Sequence, residues 1–223
     1  MKKNTLKITS FLFFSFVFLF TACKKDYPEV SKATYWPEIK INGNELITLI
    51  VNNSYSDAGA TVTSGGTPID YTTDNPVDTA QAGVYKVVYS ATNTDGITVS
   101  KSRTVIVLPG VVTNDVAYIE GKYETVPNGG TPATTFSNIE KIAPGVYHTE
   151  NCWGNGSLAV IPAYFFCLDG VSLEVPLQNA GAAQVSTTEP GTYDVATGHI
   201  NWTIIRPLFQ PGGLIRVKDW FKR

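Results

Sequence analysis

The sequence predicts an all-β protein, in which a β-sandwich is followed by a second antiparallel domain that is either a sandwich or barrel-like. Short runs of alternating apolar and polar residues, rich in Val, Ile, Thr and Tyr, recur along the chain and are typical of strands. Clusters of Gly, Asn, Asp and Pro separate these runs, as expected of turns. From residue 110 onwards, no long stretch keeps a helical period.

The N-terminal segment has the features of a secretory signal. Three lysines within residues 1–7 precede an apolar run over residues 8–20, which is shorter than the roughly 20 residues of a transmembrane helix. The run ends at Thr21-Ala22-Cys23, which resembles the lipobox of bacterial lipoproteins, although Phe20 stands where leucine is usual. The resemblance implies that residues 1–22 are removed and that Cys23 is acylated, which anchors the chain to a membrane. The alternative is an ordinary cleaved signal with a coincidental cysteine.

Charge and length limit the possible functions. Removing residues 1–22 takes three lysines from a chain with 17 basic and 19 acidic residues, which leaves a formal net charge of −5. There is no basic stripe, so we expect no nucleic-acid partner. About 200 mature residues suit two domains of roughly a hundred residues each.

Residues 23–36 are predicted to be a flexible, lipidated tether, because they are mixed polar and keep no apolar period. Asp26 and Glu29 resemble the acidic export signal of Bacteroidetes surface lipoproteins, although Lys24 and Lys25 intervene. This resemblance favours an outer-membrane protein that faces the cell exterior over one retained in the periplasm.

Residues 37–109 are predicted to form the first domain. Its clearest strand is Gly83–Thr92, and the turn Asn93-Thr94-Asp95-Gly96 joins it to the strand Thr98–Leu108. Further short strands are predicted at Leu46–Val51 and Ile69–Thr72. Several short strands with regular turns indicate a β-sandwich.

Three segments of this domain show a family resemblance: Tyr55-Ser56-Asp57-Ala58-Gly59-Ala60, residues 82–96, and Arg103-Thr104-Val105-Ile106-Val107. They resemble the HYR-like immunoglobulin-like (Ig-like) domains of bacteria, which usually have proline at the position of Ala82. The resemblance implies an Ig-like sandwich with a spacer or adhesion role and no catalytic residues. A shared fold does not by itself determine function.

Residues 110–223 are predicted to form a second β domain of unknown function. The predicted strands are Val116–Thr125, the stretch around Gly145–His148, Leu158–Leu168, Val171–Val175 and Ile200–Ile205. The segments that resemble C-terminal domains of uncharacterised Bacteroidetes lipoproteins are Ala143–Tyr147, Cys152–Gly154, Ile161–Phe165 and Gly198–Thr203. Such proteins pair this module with an Ig-like domain, and many occur beside starch-utilisation-type importers, in which a TonB-dependent barrel works with a substrate-capturing lipoprotein. The resemblance implies an accessory surface lipoprotein without naming its ligand.

The sequence contains no distinctive catalytic, metal or cofactor motif. The two histidines, His148 and His199, lack the spacing of a metal-binding pair. His148 and Glu150 would share one face of a strand, but an exposed polar row is a commoner cause than an acid–base pair. Residues 154–157 lack the final glycine of a nucleophile elbow. We therefore expect no cofactor, no metal and no enzymatic activity.

Cys152 and Cys167 are a possible disulfide, which an oxidising compartment would permit. Closing a loop of about fifteen residues would stabilise the domain by roughly 3 kcal/mol. A hairpin that turns at Gly154-Asn155-Gly156 would instead place Cys152 opposite a residue near 158. Two buried thiols are therefore the alternative.

Trp153, Tyr147 and Trp220 are the candidate ligand-binding residues of the second domain. Exposed aromatic rings stack on sugars or anchor peptide side chains with little loss of entropy. We expect Trp153 to be the most exposed of them, and Trp202 to lie in the core. Core or rim packing is the alternative for the three candidates.

The sequence therefore predicts a non-catalytic surface lipoprotein that is anchored in the outer membrane by lipid. The leading interpretation is an accessory component of a nutrient-uptake complex that binds an oligosaccharide or a peptide, or that docks on the importer. The second is a structural or adhesive protein that binds host or neighbouring-cell components. The third is a glycan-active enzyme, which would need paired carboxylates in a cleft.

Overall fold

The computed structural model describes residues 33–127, 136–153, 160–181, 183–206 and 214–223, and these ranges contain strands and no helix. The predicted all-β class is therefore confirmed. The first seven strands are β1 (Pro37–Ile41), β2 (Leu46–Ile50), β3 (Ala60–Ser64), β4 (Thr67–Pro68), β5 (Thr72–Asp74), β6 (Gly83–Thr92) and β7 (Thr98–Leu108). The strands that follow are β8 (Gly121–Pro127), β9 (Phe136–Ala143), β10 (Val146–Thr149), β11 (Ala163–Phe166), β12 (Ser172–Leu173), β13 (Gln178–Ala180), β14 (Ala183–Thr187), β15 (Gly191–Asp194), β16 (His199–Arg206) and β17 (Leu214–Lys222).

The first seven strands form a two-sheet sandwich. One sheet has the order β1-β3-β4 and the other has the order β2-β7-β6-β5, in which β2 and β7 are parallel and the other neighbours are antiparallel. The alternate residues of β6 point inwards, as its sequence pattern predicts. The residues buried between the two sheets are Ile41, Ala60, Val62, Val87, Tyr89, Ala91 and Val105.

The β6–β7 hairpin has the predicted strand bounds and the predicted turn. The side-chain oxygen of Asn93 accepts hydrogen bonds from the backbone N–H groups of Asp95 (3.0 Å) and Ile97 (2.8 Å). Gly96 has a φ of 80°, which glycine adopts without a steric cost. This local chemistry sets the register in which Thr92 lies opposite Thr98.

A charged cluster is buried inside this sandwich. Arg103 is completely buried, forms an ion pair with Asp57, and donates from Nε to the carbonyl of Asn44 (3.0 Å). Asp57 also accepts hydrogen bonds from the hydroxyl groups of Tyr89 (2.6 Å) and Tyr55 (3.1 Å). Buried charges are tolerated only when they are paired and hydrogen-bonded, and this cluster meets both conditions.

The later strands form a ten-stranded, nearly closed sheet. Its main path is β11-β10-β9-β8-β17-β16-β14-β13, while β15 pairs with both β16 and β12. Of the two architectures that the sequence left open, the barrel-like one is observed.

Two contacts link the edge strand β11 to the segment that runs from β12 to β13. Phe166 exchanges backbone hydrogen bonds of 2.7 and 3.0 Å with Glu174, the residue that follows β12. The side-chain amide of Gln178 bonds to the backbone of Tyr164, accepting from its N–H (2.9 Å) and donating to its carbonyl (2.7 Å). The Gln178 side chain, at the start of β13, therefore bonds to the edge of β11 in the way that the backbone of a neighbouring strand would. This contact brings the two edge strands of the sheet together.

Several predicted strands of this domain are shorter or shifted. The strand predicted from Val116 begins instead at Gly121, because a turn closed by a hydrogen bond from Glu120 N to Ala117 O (3.0 Å) precedes it. This turn buries Val116 and Ile119 at a spacing of three, which an extended strand would not do. Two further strands of this domain are shorter than predicted: Ser172–Leu173 is observed for Val171–Val175, and Ala163–Phe166 within Leu158–Leu168. In the sandwich, the predicted strand Ile69–Thr72 is replaced by β4, which ends at Pro68, and β5, which begins at Thr72.

An apolar interface joins the sandwich to the second domain, and residues 36–223 form one compact unit. Ile106 and Leu108 of β7 point away from the core of the sandwich and pack against Val146 and Phe166 of the second domain. Val105, which precedes Ile106 on β7, faces the sandwich core instead. The C-terminal half of β7 is therefore buried on both faces, which explains its continuous apolar sequence.

Candidate functional site

A groove of about 270 Å³ opens beside the interface between the two domains. Lys86 and Thr104 of the Ig-like sandwich lie on one wall, and His148, Tyr164 and the segment from Gln178 to Gly181 lie on the other. We call this cavity the interdomain groove. Neither domain alone supplies both walls.

Strand register places the polar groups of the interdomain groove. Lys86 is paired with Thr104 across β6 and β7, next to the pair of Val84 and Ile106 that borders the interface. The paired residues lie on the outer face of the sheet, so that both side chains project towards the second domain. The apolar end of this face is covered, while its polar end lines the groove.

The opposite wall is built on β10 and β11. His148 and Tyr164 are cross-strand neighbours, and their ring centroids are 4.9 Å apart. The amide of Gln178 bonds to the backbone of Tyr164 and donates to the carbonyl of Pro176 (3.2 Å). Gln178 therefore shapes this wall, and the other polar residues that line it are His148, Tyr164 and Asn179.

Burial governs the charge of His148. Desolvation lowers the pKa of the half-buried imidazole, while the carboxylates of Glu140 and Glu150 act in the opposite direction. The lowered pKa keeps the ring neutral at neutral pH, with one donor and one acceptor nitrogen. The carboxylate of Glu150 accepts a hydrogen bond from the side-chain amide of Asn138 (3.0 Å).

The three predicted aromatic ligand-binding residues are buried in the core of the second domain, so this prediction is wrong. Trp153 is 3% exposed, and Tyr147 and Trp220 are completely buried. The ring of Trp220 packs edge-to-face on Trp202 at a centroid distance of 4.9 Å. Trp202 thus lies in the core as expected, together with the residues proposed to bind ligand.

Local hydrogen bonding explains why Trp153 points inwards. The side-chain oxygen of Asn151 accepts from the backbone N–H groups of Trp153 (3.2 Å) and Ile161 (3.1 Å). These two bonds hold the chain after β10 close to the start of the segment that leads into β11. The parity of β10 buries Tyr147 for a different reason, since Val146 and His148 occupy its outer face.

The possible disulfide between Cys152 and Cys167 is also contradicted. The backbone N–H of Cys152 donates to Ile161 O (2.8 Å) at one end of the β10–β11 ladder, and that of Cys167 donates to Gly145 O (2.9 Å) at the other end. Six residues of extended chain separate these ends by roughly 20 Å, whereas a disulfide needs Cα atoms within about 7 Å. Both thiols are buried and are not bonded to each other.

Two exposed aromatic residues of the second domain lie on strands that were not predicted. Phe136 of β9 and Phe221 of β17 are 45% and 44% exposed. Register places His199, Phe221, Glu124 and Phe136 side by side across four strands, and we call these residues the outer aromatic row. Phe221 stacks on His199 at 4.6 Å, and the ammonium of Lys122 lies 4.0 Å from the ring of Phe136.

Other sequence predictions fall outside this part of the molecule. Cys23, the signal over residues 1–22 and the turn at 154–156 lie outside the described residues. In the described part of the chain, no helix is long and apolar enough to cross a membrane. Within the same ranges, no group of three or more His, Cys, Asp or Glu side chains is arranged to hold a metal ion.

In the described part of the chain, an Ig-like sandwich is followed by a barrel-like sheet. Residues 39–107 match the family model described as "Bacterial surface protein, Ig-like domain", which confirms the Ig-like resemblance for the first domain. The chain is similar in structure to the lipoprotein BT2262 from Bacteroides thetaiotaomicron, with 19% sequence identity, a TM-score of 0.39, and coverage of 84% of this chain and 100% of that chain. This similarity is too distant to support an inference about function. No curated protein matches the chain.

Proposed function

We propose that this protein is a non-catalytic lipoprotein of the bacterial cell surface, and that it serves as an accessory component of an outer-membrane nutrient-uptake complex. The observation that carries the proposal is the buried junction between a surface-type Ig-like domain and a second β domain. Domains joined by an apolar interface keep a fixed orientation, whereas linked domains otherwise move freely. A fixed two-domain body suits a component that presents one binding surface to a neighbouring protein or solute.

The lipid anchor of this proposal rests on the sequence Thr21-Ala22-Cys23. Acylation of Cys23 would leave residues 24–36 as a tether between the membrane and the Ig-like domain. The acidic residues Asp26 and Glu29 favour export to the outer face. The Ig-like domain would then hold the second domain away from the membrane, close to an importer.

The groups in the interdomain groove favour binding over catalysis. Glycan hydrolysis uses two carboxyl groups placed about 5–10 Å apart. The polar residues that line this groove are Lys86, Thr104, His148, Tyr164, Gln178 and Asn179, and none of these described residues carries a carboxyl group. These groups are suited to hold a polar solute.

Adhesion to host or neighbouring-cell components is the second candidate function. The outer aromatic row favours it, because two half-exposed phenylalanine side chains on one sheet face are typical of contact surfaces. In that case the binding partner is a macromolecule, and the row forms the contact.

The test is a pull-down of the full-length lipidated protein from native outer membrane, with mass spectrometry of the proteins that co-purify. We expect a TonB-dependent barrel and its capture lipoprotein. Cys23→Ala is the matched control, because it removes the anchor and leaves the folded domains unchanged. Recovery of the protein alone would contradict the uptake role. If loss of cell binding in Phe136→Ser and Phe221→Ser accompanied that result, adhesion would replace it.

A further inference from the structure

We propose that the interdomain groove binds a small ligand through a carboxylate group, such as that of an acidic sugar or of a peptide C-terminus. The inference concerns the folded domains and does not depend on the uptake complex. It rests on the charge, the hydrogen-bonding groups and the size of the groove.

The charge of the groove is positive. Among the described residues that line it, Lys86 is the only one charged at neutral pH, because His148 is held neutral by its burial. This positive site contrasts with the acidic balance of the mature chain. A carboxylate placed against the ammonium would form a charge-assisted hydrogen bond, which is about twice as strong as a neutral one.

The groove offers several hydrogen-bond donors to a ligand. The ammonium of Lys86 offers three N–H groups and accepts nothing, neutral His148 offers one N–H, and the hydroxyl groups of Thr104 and Tyr164 can each donate one bond. The side-chain amide of Asn179 adds donors and an acceptor, whereas the amide of Gln178 is engaged by the backbone of Tyr164. Because the ammonium can only donate, the ligand group that contacts it must bring acceptors, as carboxylate oxygens do.

The size and the apolar lining of the groove limit the ligand further. A volume of about 270 Å³ lies just below the range of typical small-molecule pockets, so one or two sugar or amino-acid units would fill it. Val84, Pro162 and the ring of Tyr164 provide apolar contact for the body of such a unit.

Two carboxylates near His148 oppose anion binding. Glu140, the cross-strand neighbour of His148, and Glu150 both act on the imidazole, and both are exposed and do not line the groove. Their negative charges reduce the positive potential of the groove, and dissolved salt screens this effect because the carboxylates are exposed. The affinity therefore depends on direct contact with Lys86 rather than on long-range attraction.

The test is calorimetric titration of the full-length lipidated protein in detergent with matched ligand pairs. Glucuronate is compared with glucose, and a dipeptide with a free C-terminus is compared with its amide. We expect the acid of at least one pair to bind and its neutral partner to bind at least tenfold more weakly, because the charge-assisted bond is lost. Which acid binds identifies the source of the carboxylate.

Two lysine variants locate the site. Lys86→Gln should weaken binding of the acid about tenfold or more, whereas Lys40→Gln, on the exposed side of β1, should leave it unchanged. Both lysines are exposed, so both variants should fold, and the thermal transition checks this. Equal binding of acid and amide or sugar, equal effects of the two variants, or no binding of either acid at about 10 mM would overturn the proposal.

Discussion

Truncating Asp57 should destabilise the Ig-like domain strongly. Asp57→Ala removes the ionic partner of Arg103, whose side chain is completely buried, and the acceptor of the hydroxyl groups of Tyr55 and Tyr89. The guanidinium cannot lose its charge, because its pKa lies too high for deprotonation in proteins. It would therefore remain as an uncompensated buried cation.

The expected loss is about 3–5 kcal/mol, which is the usual cost of breaking a buried ion pair from one side. For a unit of 150–250 residues, each kcal/mol lowers the melting temperature by about 2–4 °C, so the transition should fall by roughly 6–20 °C. Urea unfolding followed by circular dichroism measures the change. The double variant Asp57→Ala/Arg103→Met should recover much of the loss, because it replaces the stranded charge by an apolar side chain.

An exposed ion pair of the same domain provides the control. Lys101 and Glu45 form a pair whose side chains are 42% and 60% exposed, and such pairs contribute about 0–1 kcal/mol. Glu45→Ala should therefore change stability little. A loss in Asp57→Ala no larger than that in Glu45→Ala, or a double variant no more stable than the single one, would refute the reasoning.

Three further predictions concern the second domain and its junction. Burial lowers the pKa of His148 in the folded protein, so the unfolded chain binds the proton at a higher pH and the free energy of unfolding decreases as the pH drops below about 6.5. Urea titrations at several pH values should show a smaller decrease for His148→Gln than for the wild-type protein. Ile106→Ser should cost about 2 kcal/mol of apolar burial and split one calorimetric unfolding transition into two, while a single unshifted transition would contradict the role of the interface. Burial raises the pKa of Cys167 to about 11, so its thiol should be alkylated only after unfolding. Intact-mass measurement should find Cys152 and Cys167 reduced, whereas a mass lower by two units would show a disulfide.

The parts of the fold that could be predicted are those specified by local chemistry. The β6–β7 hairpin has an alternating pattern on β6 and the turn sequence Asn93-Thr94-Asp95-Gly96, and its bounds were predicted correctly. In β9 the pattern is broken, because Phe136 is exposed and the neighbouring Ser137 is buried. Ser137 can face the core because its hydroxyl bonds to that of Thr149 (2.7 Å). This contact bridges twelve residues and leaves no apolar signal in the sequence.

The candidate site was less predictable because residue type does not reveal which face a side chain occupies. The strand around His148 was identified, but nothing in its four residues shows that Tyr147 faces the core and His148 faces the Ig-like domain. Trp153 was expected to be exposed because it lies beside Gly154. The hydrogen bonds of Asn151 reverse that expectation, and their partners are fixed only in the folded chain.

Gln178 shows why the groove itself could not have been inferred from the sequence. A glutamine at the start of a short polar strand usually faces solvent, yet here its amide acts as the backbone partner that closes the barrel at Tyr164. The same contact places Tyr164 and the segment that follows Gln178 opposite Lys86. The Gln178 side chain therefore contributes both to the closure of the second domain and to the formation of the groove. The opposite wall depends on the apolar interface at Ile106, so the groove exists only when both domains are folded and joined.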